Sequence, residues 1–264
     1  MAADAPYKLV YWPGLPGRGE HIRLLLEEAG VPYEDTAQMT ATTDDELVGT
    51  AAVLAQISPD NRGDAVNAPP LAPPVLEHDG LVISQTANVL QYLGQRLGLA
   101  GDLAADPNAV YRVSALALTA LDGLSDEVHD CHHPVSTSLF YEEQQAESVR
   151  ASRAFVRVRL PKFLAYFDKV LAGSAAGSGP WLHGGRLTYA DLVLFQCLDG
   201  TAHQFPRAIA AARASGLYAR VFALADAVRA RPRIAAYLAS GRRQPYGEGI
   251  YRHYAELDVT AEDG

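Results

Sequence analysis

Cysteine is scarce in this chain: Cys131 and Cys197 are the only two in 264 residues. Two thiols make neither a disulfide framework nor a CxxC redox pair, which fits a reducing compartment. No apolar run approaches the roughly 18 residues that a membrane span requires. Positive charge is in deficit, with 22 Lys and Arg against 31 Asp and Glu and a formal net charge of −9. An acidic surface repels phosphate backbones and anionic headgroups, so neither a nucleic acid nor a membrane is an expected partner. The opening residues Met1-Ala2-Ala3-Asp4-Ala5-Pro6 lack the basic and apolar regions of a secretory signal. The expected setting is the cytoplasm. What is present is ordinary for a folded protein: 48% hydrophobic and 20% charged residues, enough to bury a core. The length allows one large domain or two modest ones.

The first hundred residues mix strand and helix signals. Tyr7 to Trp12 is rich in β-formers and is stopped by Pro13-Gly14,. Arg18 to Ala29 reads as a helix, with Ile22, Leu25, Leu26 and Ala29 on one face and Gly30 at its end,. Val31 to Glu34 reads as a short second strand. Pro74 to His78 and Leu81 to Ile83 flank Asp79-Gly80, a two-residue hairpin turn,. Gln85 to Leu97 reads as a helix. Between these blocks, Thr36 to Leu71 holds one helix near Asp44 to Ile57 and a polar loop, Ser58 to Asn67.

The rest reads as helical. A helix opens at Asp106-Pro107, and Glu142 to Ala172 forms a long one that Pro161 should break or kink. Gly173 to Pro180 is a loop. Thr188 and Asp191 form the acidic variant of a capping box, with Leu187 and Leu192 at the staple positions,. Leu217 to Arg229 and Pro232 to Ala239 complete the helices. The pattern changes between Gly98 and Pro107. The expected division is therefore residues 1–98, mixed α/β, and residues 106–264, all-helical with a polar, aromatic tail.

Five segments, taken in order, resemble the cytosolic glutathione transferase family in its tyrosine-type classes. They are Tyr7 to Trp12, Pro16-Gly17-Arg18-Gly19-Glu20, Pro73 to Gly80, Ser84-Gln85-Thr86, and the capping box from Thr188 to Asp191. No one of these motifs is decisive, but the ordered set spans most of the chain. The resemblance implies an N-terminal thioredoxin-like, glutathione-binding domain followed by a C-terminal helical bundle. It also implies a homodimer, and glutathione as co-substrate in detoxifying conjugation of small, largely apolar electrophiles.

It further implies roles for individual residues. Tyr11 stands where the family keeps its catalytic tyrosine, whose hydroxyl stabilises the glutathione thiolate. The alternative is an ordinary strand tyrosine with its hydroxyl satisfied locally. Arg18 corresponds to an arginine that orients tyrosine and sulfur, although one extra residue separates it from Tyr11. Its bland reading is an exposed helix-start arginine. Gln85 and Thr86 correspond to the turn that holds the γ-glutamyl carboxylate at a helix N-terminus; a plain N-cap by Ser84 or Thr86 is the alternative. Pro74 aligns with the family's cis-proline. Pro73 departs from the family, which places Val, Ile or Leu there; having no N–H, Pro73 removes one ligand hydrogen bond. Ser114 stands where some relatives carry an aspartate. The segment before Pro74 is longer than the family's, and Ser58 to Asn67 reads as either a flap or plain surface. The electrophile pocket is expected near Trp12, Leu15 and His129.

Two further readings compete. Pro73 and Ser114 favour a non-catalytic relative that serves as a binding or assembly module. His129-Asp130 with His133 resembles a His-Glu-x-x-His zinc motif with Asp for Glu, which would make a metallohydrolase. Pro134 limits that helix and no third ligand is apparent, so no metal is expected. Arg150, Arg153, Arg157 and Arg159 read as a solvated, salt-bridged helix face,.

Overall fold

The computed structural model describes residues 6–38 and 45–260. The chain groups into two compact units, 1–97 with 231–245, and 98–230 with 246–264.

The first unit is built on a four-stranded sheet of order β2-β1-β3-β4. Its elements are β1 (Tyr7–Val10), α1 (Gly19–Ala29), β2 (Tyr33–Asp35), α2 (Asp45–Gln56), β3 (Val75–His78), β4 (Leu81–Ser84) and α3 (Thr86–Arg96). Asp44, where the sequence reading starts α2, lies outside the described residues. The β1–β2 pair is parallel, joined through α1, and the other two pairs are antiparallel. This is the thioredoxin-like arrangement. Asp79 and Gly80 adopt φ of 49° and 75°, the primed turn that matches the twist of paired strands. Leu9, Ile22, Leu24, Leu25, Leu76, Val89, Leu90 and Leu93 are fully buried, which seats α1 and α3 on the sheet. Val10, Val53 and Val75 form a second cluster, with Trp12, Ala52, Ile57 and Val82 packed against it.

The loop after α2 is held by one side chain. Asn67 Nδ2 donates to the Gly80 carbonyl at 2.9 Å and to Asp64 at 2.8 Å, and its Oδ1 accepts from Val82 N–H at 2.9 Å. Asn67 is buried, so the loop is docked on β4.

The second unit is helical. It contains α4 (Ala109–Leu118), a π-helical stretch (Thr119–Ser125), α5 (Asp126–Asp130), α6 (Gln145–Ala154), a second π-helical stretch (Phe155–Arg159), α7 (Leu160–Ala172), α8 (Tyr189–Gln204), α9 (Pro206–Ala214) and α10 (Ala219–Arg229). Buried residues lie on every side of α8, as expected of a helix at the centre of a bundle. The capping box forms. Asp191 accepts from Thr188 N–H at 2.7 Å, from the Thr188 hydroxyl at 2.8 Å and from Leu182 N–H at 2.8 Å.

The structure corrects three expectations. Pro161 does not break the long helix; it sits in the first turn of α7, directly after the π-helical stretch. The missing proline N–H falls where the wider turn has already changed the hydrogen-bond pattern. Pro206–Ala214, read as no element in the sequence, is a helix with proline in its first turn,. The last helix, α11 (Pro232–Leu238), belongs to the first unit, not to one continuous domain from 106 to 264. Its anchors are long-range. Arg231 Nε donates to Glu28 at 2.7 Å, and the Tyr237 hydroxyl donates to Glu20 at 3.0 Å. No single helix among the described residues is long and apolar enough to cross a membrane.

His21 is fully buried on α1, and neither ring nitrogen meets a hydrogen-bond partner among the described residues. Burial, with the Arg18 charge nearby, pushes its pKa down to about 3. The folded chain therefore keeps His21 neutral, while the unfolded chain protonates it below about 6.5. Stability is full above that pH and falls as pH drops toward 3. By pH 4.5 the His21 contribution to this loss is about 3 kcal/mol. Urea unfolding at pH 7 and pH 4.5 should show a smaller pH loss, by about this amount, in His21→Leu. An equal loss in both proteins would mean that His21 is not held neutral.

Candidate functional site

Sheet register gathers the sequence-derived candidates at one end of the first unit. Val10 pairs with Val75, and Val75 pairs with Ser84. One step beyond those pairs stand Tyr11, Pro74 and Gln85, in line across three adjacent strands. Strand spacing of about 4.8 Å puts the backbones of Tyr11 and Gln85 about 10 Å apart. The Pro73–Pro74 bond is cis. Neither proline carries an N–H, so this stretch offers a ligand backbone carbonyls only.

Tyr11 is 7% exposed. Its hydroxyl oxygen accepts from Arg18 N–H at 2.9 Å, which leaves the hydroxyl proton for another acceptor. Burial raises its pKa; the Arg18 N–H and the charges of Arg23 and Arg18 oppose that only in part. Tyr11 is thus a neutral phenol, able to donate. Its ring fits because of two glycines. A Cβ at Gly17 would stand 2.2 Å from the Tyr11 hydroxyl, and one at Gly19 would stand 2.7 Å from the ring. Sequence reasoning passed over both, treating them as punctuation in a motif.

It also missed Arg23. This guanidinium is fully buried on α1, 5.7 Å from the centre of the Tyr11 ring. It binds Asp35 at 2.6 Å through Nε and Glu20 at 3.4 Å through an η nitrogen. The same nitrogen donates to the carbonyls of Pro16 at 3.2 Å and Leu15 at 3.5 Å. Arg18, the predicted orienting arginine, reaches Tyr11 through its backbone N–H. Arg23 is the buried charge that fixes the loop. The available signal was slight: a cation between Ile22 and Leu24, with Glu20 three residues before it.

At the start of α3, Gln85 adopts φ of 70°, a conformation that non-glycine residues rarely hold,. Among the described residues no side chain caps this helix. Thr86 is buried, and its Oγ1 has no partner there. The plain N-cap alternative is therefore not what forms. Free N–H groups of a helix start beside an unpaired hydroxyl make a site for an anion.

Of the remaining candidates, Trp12 packs on the Val10–Val53–Val75 cluster and Leu15 is half-buried in the loop that Arg23 holds. Ser114 is half-buried on α4 in the second unit. His129, also in the second unit, stacks on His133 with ring centres 5.1 Å apart. Arg159, half-exposed, pairs with Glu127 at 2.5 Å and covers the Phe163 ring, a salt bridge of the kind expected of that face though with a different partner.

A thioredoxin-like unit whose sheet end carries a tyrosine, a cis-proline and an uncapped helix, in a chain with a separate helical unit, defines a class. Comparison with known proteins names it. Residues 129–241 match the family model described as glutathione S-transferase, C-terminal domain. The chain is 26% identical to glutathione S-transferase P 1 of Xenopus laevis over 239 residues, covering 90% of this chain and 93% of that one. It is 28% identical to glutathione S-transferase 1 of Ascaris suum over 247 residues, covering 91% and 98%. The crystal structure of the glutathione S-transferase from Ascaris lumbricoides superposes with a TM-score of 0.62 at 25% identity, covering 92% of this chain and 99% of that one. Over about nine-tenths of its length the chain is similar to glutathione S-transferases, in sequence and in fold.

Two outcomes follow from the site. Arg23→Leu strands two buried carboxylates and should cost about 3–5 kcal/mol in denaturant unfolding; a loss below about 1 kcal/mol would mean that the cluster is not a coupled unit. Thr86→Val removes a buried hydroxyl without a partner, so it should leave stability unchanged or raise it by up to about 1 kcal/mol. A clear destabilisation in the same assay would reveal a partner for that hydroxyl.

Proposed function

We propose that the chain is a glutathione transferase of the tyrosine type, conjugating glutathione to small, largely apolar electrophiles. The observation that carries this is the state of Tyr11: neutral, buried, accepting from Arg18 N–H, and with its own proton left to donate.

A free thiol titrates near about 8.5 and is mostly protonated at neutral pH. The thiolate is the nucleophile. A phenol donating to sulfur favours the charged form and lowers the thiol pKa. Each unit of lowering corresponds to about 1.4 kcal/mol, modest work for one buried hydrogen bond. The thiolate sulfur then attacks the electrophilic carbon, the new S–C bond forms, and the leaving group departs with its electron pair. At the other end of the line, Thr86 and the free N–H groups of α3 would hold the γ-glutamyl carboxylate, with Gln85 contributing its amide. The cysteinyl part would lie over Pro73 and Pro74, where the Pro73 carbonyl accepts. The absent Pro73 N–H costs one bond, about 1 kcal/mol of affinity.

Arg18 would steady the phenol through its backbone. Trp12 and Leu15, on the first unit, remain the proposed electrophile contacts. The proposal extends to a homodimer in a reducing, cytoplasmic setting; Cys131 and Cys197, both buried and in no disulfide, are consistent with that setting. A second reading, a non-catalytic relative that serves as a binding or assembly module, rests on Pro73 and Ser114.

Calorimetric titration with glutathione, in wild type and Tyr11→Phe across pH, tests the reading. The wild type should bind with proton release near neutral pH, and Tyr11→Phe should bind without it. Proton release from both proteins would remove Tyr11 from the mechanism. Binding without proton release in the wild type favours the module. No binding by either at millimolar ligand overturns the enzymatic reading and leaves the assembly module.

A further inference from the structure

The second unit holds a cluster that thiolate chemistry does not use. His129 is the next-to-last residue of α5, and His132 and His133 follow in the turn that ends the helix. One ring nitrogen from each of the three lies within 4.8 Å of the others. The rings are nested, with His129 parallel to His133 and His132 edge-on to both at 4.9 Å and 4.7 Å. The sequence shows only the His129–His133 spacing. The third imidazole comes from the residue between them, which the turn after Asp130 brings round.

The tautomers are set by one backbone group. His132 Nε2 stands 2.8 Å from the Ile250 carbonyl. A carbonyl only accepts, so Nε2 carries the proton. His132 is fully buried, which favours the neutral ring,. Its Nδ1 is therefore a lone pair, aimed at His133 Nδ1 at 2.6 Å. Without a metal, His133 must donate that bridging proton. A carbonyl fixing the far nitrogen of an imidazole is also the usual outer-sphere arrangement of a metal-bound histidine.

The cluster has access and a tolerable charge environment. His133 lines a cavity of about 450 Å³ together with Glu142, Glu248, Arg252 and Tyr254. Arg252 is the adverse charge, but it is ion-paired with Glu248 at 3.0 Å. Asp126 and Asp130 on α5 add negative charge, Asp130 lying 3.7 Å from His129 Nδ1.

We propose that His129, His132 and His133 form a binding site for a divalent transition-metal cation of the zinc, nickel and copper class. Imidazole donors suit these ions, whereas calcium and magnesium require oxygen. The His132–His133 nitrogen separation opens from 2.6 Å to about 3.3 Å, as two Zn–N bonds of 2.0–2.1 Å at a tetrahedral angle demand. The bridging proton passes, through solvent, from His133 Nδ1 to His133 Nε2, so the ring stays neutral and frees Nδ1 for the metal. The fourth position faces the cavity and takes water. Because His132 is bonded to Ile250, the ion also ties the end of α5 to the C-terminal segment. Nothing in this inference depends on glutathione binding.

The test uses full-length, untagged protein stripped with chelator. Calorimetry with ZnCl2 at pH 7.5 should give one Zn2+ per chain. His129→Ala, at the most exposed of the three rings, should weaken binding at least tenfold while leaving the circular dichroism spectrum unchanged. Cu2+ loaded in place of zinc should show imidazole-nitrogen hyperfine splitting in its paramagnetic resonance spectrum, lost in the His129→Ala/His133→Ala double variant. Absence of zinc binding below about millimolar concentration would overturn the proposal. So would affinity within threefold of wild type in His129→Ala, or a Cu2+ spectrum unchanged in the double variant. If the variants misfold, the wild-type stoichiometry and nitrogen hyperfine pattern decide the matter alone.

Discussion

Arg23 is out of water and still charged, and the arrangement of the first unit follows from keeping it so. Asp35 and Glu20 supply the counter-charge, and the carbonyls of Leu15 and Pro16 take a further N–H. Those carbonyls belong to the turn that carries Gly17 and Arg18 to Tyr11. Glu20 is in turn reached by Tyr237 and Arg243, so α11 and the stretch after it complete the same cluster. A buried ion group is a poor source of net stability compared with apolar packing. Here it defines one path for the loop between β1 and α1, and the phenol depends on that path.

The other constraint is register. Strands pair residue by residue, so the end of β1, the start of β3 and the end of β4 present Tyr11, Pro74 and Gln85 as neighbours. A ligand laid across that line meets a phenol, a stretch without N–H groups and a helix start in succession. A peptide-like thiol with a carboxylate at one end matches the sequence of these groups. On the proposed reading, register is what lets residues so far apart in the chain serve one site, and a proline at position 73 is a local change in hydrogen bonding.

Much of this was legible beforehand, for specific reasons. The Asp79-Gly80 turn and the Thr188–Asp191 box are short-range devices whose chemistry is complete within four residues. Tyr11, Gln85 and Thr86 were not legible from periodicity; only the ordered set of motifs singled them out. Arg23 was hidden because a charged residue on an amphipathic helix is ordinarily solvated, and only distant partners, Asp35 above all, reveal otherwise. The place of α11 was hidden for the same reason, since Glu28–Arg231 and Glu20–Tyr237 join opposite ends of the chain. His132 escaped notice because helical spacing was applied past Asp130, where α5 has ended.

The docked Asn67 gives the long insertion a further meaning. β4 is the outer strand of the sheet, and its free side shows backbone groups that a strand from another chain could pair with. Asn67 occupies two of them, the Gly80 carbonyl and the Val82 N–H, offering an amide in imitation of a neighbouring strand. Extra residues that look like surface decoration thus act as a stopper on the sheet. Shortening the insertion to the family's usual length would leave that edge open to self-association, with the folded core otherwise untouched.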